Sequence, residues 1–258
     1  MALISRWAII ALILVVIIVA VVVFVARRRN PEGAGRPLVL LTGRLIGAAY
    51  ACFTIVATAV GVISTLTADQ VDVAIPVREY WPGAFPWVTV EQGPTAEVVG
   101  GGFVTADVAI TGLGMDARAF LAAGHAIQGA TFIVIAITIA LLCQRLLTGT
   151  AFTPALTRAV TVTGMSVAIG GMLWQVAFGI GSSIASAQAL TVTGWMSEHP
   201  LGNDPLETEF DPYATGLPEP TVFAQIDLWP LLLGLALAAV GLAFRRAERL
   251  QRDAQGLV

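Results

Sequence analysis

A chain of 258 residues that is 57% hydrophobic and only 12% charged is not built as a soluble domain, since soluble domains carry about a quarter charged residues. Its formal net charge of −3 averages over segregated signs: all fourteen basic residues are Arg, and they cluster apart from the acids. Two cysteines, Cys52 and Cys143, both inside apolar runs, exclude a disulfide framework for the polar loops and supply too few ligands for a thiol metal centre.

A bilayer core about 30 Å thick takes about 20 apolar residues at 1.5 Å each. Five uncharged stretches meet that length in chain order. Trp7 to Ala26 is nearly pure Ile, Val, Leu and Ala. It has only Arg6 before it, Arg27, Arg28 and Arg29 after it, and no small-x-small site at its end. That polarity is the reverse of a secretory signal and predicts an uncleaved anchor. Residues 1–30 are therefore read as an anchor and 31–44 as a basic linker. The second span runs from Leu45 to Ala68, the third from Ala119 to Gln144, the fourth from Ala159 to about Ile184 and the fifth from Leu228 to Phe244. Residues 45–246 make a four-helix membrane domain with long loops at 69–118 and 185–227, and 247–258 form a basic tail. The absence of Lys, with the Ala, Gly and Val bias, points to a GC-rich bacterial genome.

Loop charge sets the direction of insertion. Arg27, Arg28, Arg29, Arg36 and Arg44 lie between spans one and two, Arg145 and Arg158 between three and four, and Arg245, Arg246, Arg249 and Arg252 after five. The two long loops hold the acids, with only Arg78 and Arg118 against them. The expected protein is a multi-pass component of the cell membrane with its N-terminus outside and its C-terminus in the cytoplasm. Trp7, Trp81, Trp87, Trp195 and Trp229 fall at or beyond the outward span ends, as an interfacial aromatic girdle does, and only Trp174 lies within a span.

In the first long loop Val71, Val73, Ile75 and Val77 alternate with Asp72, Ala74 and Pro76, a strand pattern that Pro76 assigns to a sheet edge. Phe103 to Ile110 is also extended in type. Gly100, Gly101 and Gly102 divide it from Ala96 to Val99, which predicts a hairpin between those two segments. Tyr80 to Trp87 is turn-rich and aromatic. The second long loop, rich in Pro, Asp and Glu, reads as irregular. Its Asn203, Asp204, Glu207, Glu209 and Asp211 offer oxygen ligands of the kind calcium takes, but not at EF-hand spacing, and solvated acids are the simpler reading. The fold class expected is thus an all-α transmembrane bundle of five helices with a small, partly β extracytoplasmic cap. Small residues at four-residue spacing, such as Gly47 and Ala51, Ala57 and Gly61, or Gly234 and Ala238, predict close helix packing.

Chemistry is sparse. No Asp, Glu or Arg falls inside an assigned span, which argues against proton relays, voltage sensors and ion-coupled pumps. The intramembrane polar candidates are His125, Gln128 and Gln175. His125 and Gln128 share a helix face at i,i+3, where an interhelical hydrogen bond is the simple reading and a substrate or quinone contact the sharper one. His199, the other histidine, lies in a loop, so no bis-His haem site is expected. No P-loop, dinucleotide fingerprint, HExxH or nucleophile elbow occurs. No catalytic residue, metal or cofactor is assigned.

The closing segment carries Arg245, Arg246, Arg249 and Arg252 on a helix-compatible run, with Phe244, Ala247, Leu250 and Ala254 as an apolar stripe. Two readings stand: a basic helix on anionic lipid, or a docking site for a cytoplasmic protein centred on Arg245, Arg246, Arg249, Leu250 and Arg252. This ending, Glu248-Arg249-Leu250-Gln251-Arg252-Asp253, together with the two-hairpin layout from Arg44 onward, resembles an uncharacterised family of bacterial four-helix membrane proteins, a domain of unknown function. The resemblance implies two hairpins with long outer loops and brings no catalytic residue, because the family has no established activity. It also implies company with small helix-turn-helix regulators. The expected function is that of a non-enzymatic sensory, regulatory or accessory subunit of a membrane complex. Its expected partners are lipid and a cytoplasmic protein, with no direct nucleic-acid contact. A permeation component on the Gly-rich fourth span is the alternative, and an enzyme on the outer face a third reading.

Overall fold

A computed structural model of the protein describes residues 35–81, 95, 96, 98–148, 154–193, 218–223 and 226–255, with backbone alone for 35–38 and 247–255. The first expected span, Trp7 to Ala26, lies outside the described residues, as do Arg27 to Arg29, Trp87, Trp195 and the acids Asp204 to Asp211.

Helix α1 spans Gly35–Thr67, strand β1 Gln70–Tyr80, strand β2 Phe103–Thr111 and helix α2 Met115–Leu147. Helix α3, Pro154–Met165, passes through a five-residue π-helical turn, Ser166–Gly170, into α4, Gly171–Leu190, and α5 spans Trp229–Gln255. Among the described residues, four helical stretches are long and apolar enough to cross a membrane: Val39–Thr67, Met115–Leu147, Pro154–Leu190 and Trp229–Arg246. Pro154 opens α3 and Pro230 stands second in α5, positions where a missing N–H leaves no bond unmade. Helices α1 and α2 have 33 residues each, or about 50 Å, so their ends outrun a hydrocarbon core of about 30 Å.

The described residues group into two compact units. One is bounded by Thr65–Leu121 and Ala177–Gln225, the other by the stretches ending at Ser64, running Ala122–Val176 and beginning at Ile226. In the latter, glycines let backbones meet. A Cβ added to Gly47 of α1 would stand 3.0 Å from the Ala136 carbonyl oxygen and 3.1 Å from the Ala140 nitrogen of α2. One added to Gly164 of α3 would stand 2.8 Å from the Gly234 carbonyl and 2.9 Å from the Ala238 nitrogen of α5. Gly170 meets Thr131, Gly171 meets Pro230, and Gly43 meets the Cys143 sulfur. Lipid gives helices no hydrophobic reason to associate, so such close van der Waals approach is what holds them. The expected Gly47/Ala51 and Gly234/Ala238 pairs pack in this way, whereas Ala239 and Ala243 are exposed on α5.

In the other unit β1 and β2 pair antiparallel, Gln70 opposite Thr111 through Pro76 opposite Thr105, with the register shifting before Tyr80 opposite Phe103. Val71, Val73, Ile75 and Val77 all turn inward, as their alternation predicts, onto Leu113, Ala117, Leu121 and Ala185. One expectation needs correction. Val98 and Val99 are not in a strand; β2 pairs with β1, because only β1 offers a full apolar face to share. Strand β1 is an edge of this two-stranded sheet, as Pro76 implies, and is covered only near its end. Its other side bridges Pro220 from Val77, and the Arg78 N–H donates to the Glu219 carbonyl at 2.9 Å. The Pro76 carbonyl accepts the buried Ser186 hydroxyl at 2.5 Å.

Candidate functional site

The polar side chains of the described residues collect at two places. The first is the base of the β1–β2 hairpin. Arg118, one turn into α2, is only 9% exposed. Its Nε donates to the Leu113 carbonyl at 3.0 Å and its Nη1 to those of Ala68 at 2.7 Å and Thr65 at 3.3 Å. Thr65 and Ala68 stand at the C-terminus of α1, where unpaired carbonyls carry partial negative charge. The guanidinium therefore caps one helix and ties the strand leaving it to the helix entered after β2. Arg118 keeps its place at the boundary of the apolar run that begins at Ala119, and its charge is met there by carbonyls. A buried guanidinium that finds three carbonyls is tolerated where a bare charge is not.

Beside it, Gln188 of α4 accepts from the Gly114 N–H at 2.8 Å and donates to Asp116 at 3.0 Å. Arg78 closes an ion pair on Glu219 at 2.6 Å, and the Phe223 N–H donates to Ser183 at 2.9 Å. The 218–223 segment is thereby fastened to β1 and α4. Trp81 stacks on Phe103 at 5.4 Å between ring centroids, both exposed.

The second place is among the apolar helices. Of the three predicted residues, Gln175 has the clearest role. Its Nε2 donates to the Asp227 carbonyl and its Oε1 accepts from the Asp227 N–H, at 3.0 and 2.7 Å, which fixes the chain entering α5. His125 is half-buried, with its ring in contact distance of Gly61 on α1. Gln128, also half-buried, finds no hydrogen-bond partner among the described residues. Gln175 is thus engaged with the Asp227 backbone. Thr54, Thr131, Thr161 and Thr163 bond carbonyls one turn back in their own helices, and Thr138 and Thr163 meet at 2.6 Å. Among the described residues no cluster of His, Cys, Asp and Glu is arranged to hold a metal ion.

Arg245 and Arg246 are exposed near the end of the fourth apolar stretch, and the backbone remains helical through Arg249, Leu250 and Arg252. Sequence reasoning missed Arg118, Ser186, Gln188 and Glu219. The signal for Arg118 and Arg78 was their place: they are the two exceptions to a loop charge pattern that is otherwise acidic.

No family model, curated protein or solved structure matches this chain. The likeness of Glu248 to Asp253 to a four-helix family thus rests on that segment and the hairpin layout alone.

Proposed function

We propose that the chain is a non-enzymatic accessory or regulatory subunit of a membrane complex, with a partly β outer region and a basic cytoplasmic helix. The observation that carries this reading is the use to which intramembrane polar and small residues are put. Glycines bring α1 against α2 and α3 against α5 at backbone distance, and the threonines and Gln175 are spent on helix carbonyls and on Asp227. Such a bundle is packed as a support. The orientation rests on charge: Arg44, Arg145, Arg158, Arg245 and Arg246 mark one set of helix ends, while Asp69, Asp116 and Asp227 mark the other. A fifth, N-terminal helix at Trp7 to Ala26 completes the proposed topology.

A permeation role is the second reading, favoured by the π-helical turn at Ser166–Gly170, since such turns recur at functional sites. Reconstitution separates the two. The accessory reading expects proteoliposomes to hold ion and small-solute gradients as well as empty vesicles do, and expects a defined membrane or cytoplasmic partner to co-purify from native membrane at fixed stoichiometry. Solute flux abolished by Ser166→Leu would replace it with the permeation reading.

A further inference from the structure

Where glycines bring α5 close to α3 and the start of α4, α5 presents Pro230, Gly234, Leu237, Ala238 and Gly241. The approaches of Gly171 to Pro230, Gly164 to Gly234 and Ala238, and Thr161 to Gly241 fix an antiparallel register. Extended by the same step, it sets Pro154, the first residue of α3, opposite Ala247 and Glu248. The last two turns of α5, to Gln255, therefore run past the start of α3.

A second stripe lies well around the helix from the first. Trp229, Leu233, Ala236, Val240 and Ala243 recur at alternating steps of four and three, the 3.5-residue seam of paired helices. All five are exposed: Trp229 by 53%, Leu233 by 42% and Val240 by 45%. Inside lipid that exposure calls for no partner. The seam, however, does not stop at the Arg pair that marks the bilayer edge. Ala247, Leu250 and Ala254 continue it in unbroken phase along the backbone of α5. Beyond the bilayer an apolar stripe on a helix needs cover.

We propose that a second copy of this chain provides it, through parallel pairing of α5 along this seam. Two features favour a copy over the membrane surface or an acidic protein. No Gly or Pro interrupts α5 between Gly241 and Gln255, so nothing in the sequence supplies the bend needed to lay the stripe on the bilayer. The charges are also off the seam. Arg245, Arg249 and Arg252 fall on the far side of the helix, and the residues flanking Ala247, Leu250 and Ala254 include neutral Gln251 and acidic Asp253 with Arg246. A site for an acidic partner would flank its apolar anchors with Arg; self-pairing needs like charges held apart. Small residues at 236, 243, 247 and 254 allow close approach, and two copies inserted the same way are parallel by necessity. Pairing also leaves a doubled Arg face outward, available to the partner of the proposed accessory role but not dependent on it.

Cross-linking tests the seam without regard to which side of the membrane the helix enters. In full-length chain carrying Cys52→Ser and Cys143→Ala, single cysteines are placed by Ala247→Cys, Leu250→Cys, Ala254→Cys, Arg249→Cys and Arg252→Cys. Mild oxidation in native membranes should give disulfide-linked homodimer at 247, 250 and 254 several-fold above 249 and 252. Absence of homodimer at the seam positions, equal yield at all five, or linkage to a different polypeptide overturns the proposal. Single-molecule photobleaching of Leu250→Arg in dilute lipid should show the dimer fraction falling several-fold, with Arg252→Gln unchanged. A dimer fraction unmoved by Leu250→Arg would equally overturn it.

Discussion

Arg118 shows how much one side chain can decide in a chain with so little polar chemistry. Its three carbonyl acceptors come from the end of α1, the turn into β1 and Leu113, two residues before α2. Hydrogen bonds to a charged group contribute about 1.5–3 kcal/mol each, and removal of the donor leaves buried carbonyls unmet. Arg118→Met should therefore destabilise the hairpin unit by on the order of 2–4 kcal/mol. Hydrogen–deuterium exchange over residues 69–81 should rise while α3 and α5 stay protected; unchanged exchange would mean that Arg118 is not the clamp. Arg118→Lys should fall between, because an ammonium is a point donor and cannot span carbonyls on separate segments. Gln175 makes a similar case. Gln175→Leu removes both bonds to the Asp227 backbone and should free the first turn of α5 at a cost of about 1–2 kcal/mol, read as faster proteolysis near residue 227.

Among the elements, the α3–α5 pair depends on the absence of a side chain. At Gly164 the atoms that a Cβ would meet are backbone, the Gly234 carbonyl at 2.8 Å and the Ala238 nitrogen at 2.9 Å, and backbone cannot swing aside. Gly164→Val should separate the helices and lower the melting temperature in detergent by several degrees, in line with a cost of about 1–3 kcal/mol for overpacking. Gly100→Ala meets nothing within 4 Å and should leave melting unchanged. If both glycines tolerated substitution equally, close packing of α3 on α5 would be the wrong account. Strand β1 illustrates the opposite limit of legibility. Its inward set was readable from period-two alternation, but its partners were not, since pairing depends on which segments the helix ends bring together.

For the whole molecule the testable quantity is sidedness. The arginines marking one set of helix ends and the acids marking the other predict that a cysteine at position 79 reacts with an impermeant reagent in intact cells. One at position 246 should react only after lysis. Reaction of position 246 from outside would reverse the proposed orientation without touching the helix packing. What the sequence determined by itself was four of the five expected apolar helices and the inward face of β1, because length against bilayer thickness and residue periodicity are local quantities. Tertiary structure alone decided that Arg118 is buried, that Ser186 and Gln188 latch α4 to the hairpin, and that Glu219 and Pro220 flank β1. Each of those contacts joins residues far apart in the chain, and a hydrogen-bond partner is chosen by position in space, which no local pattern of residues encodes.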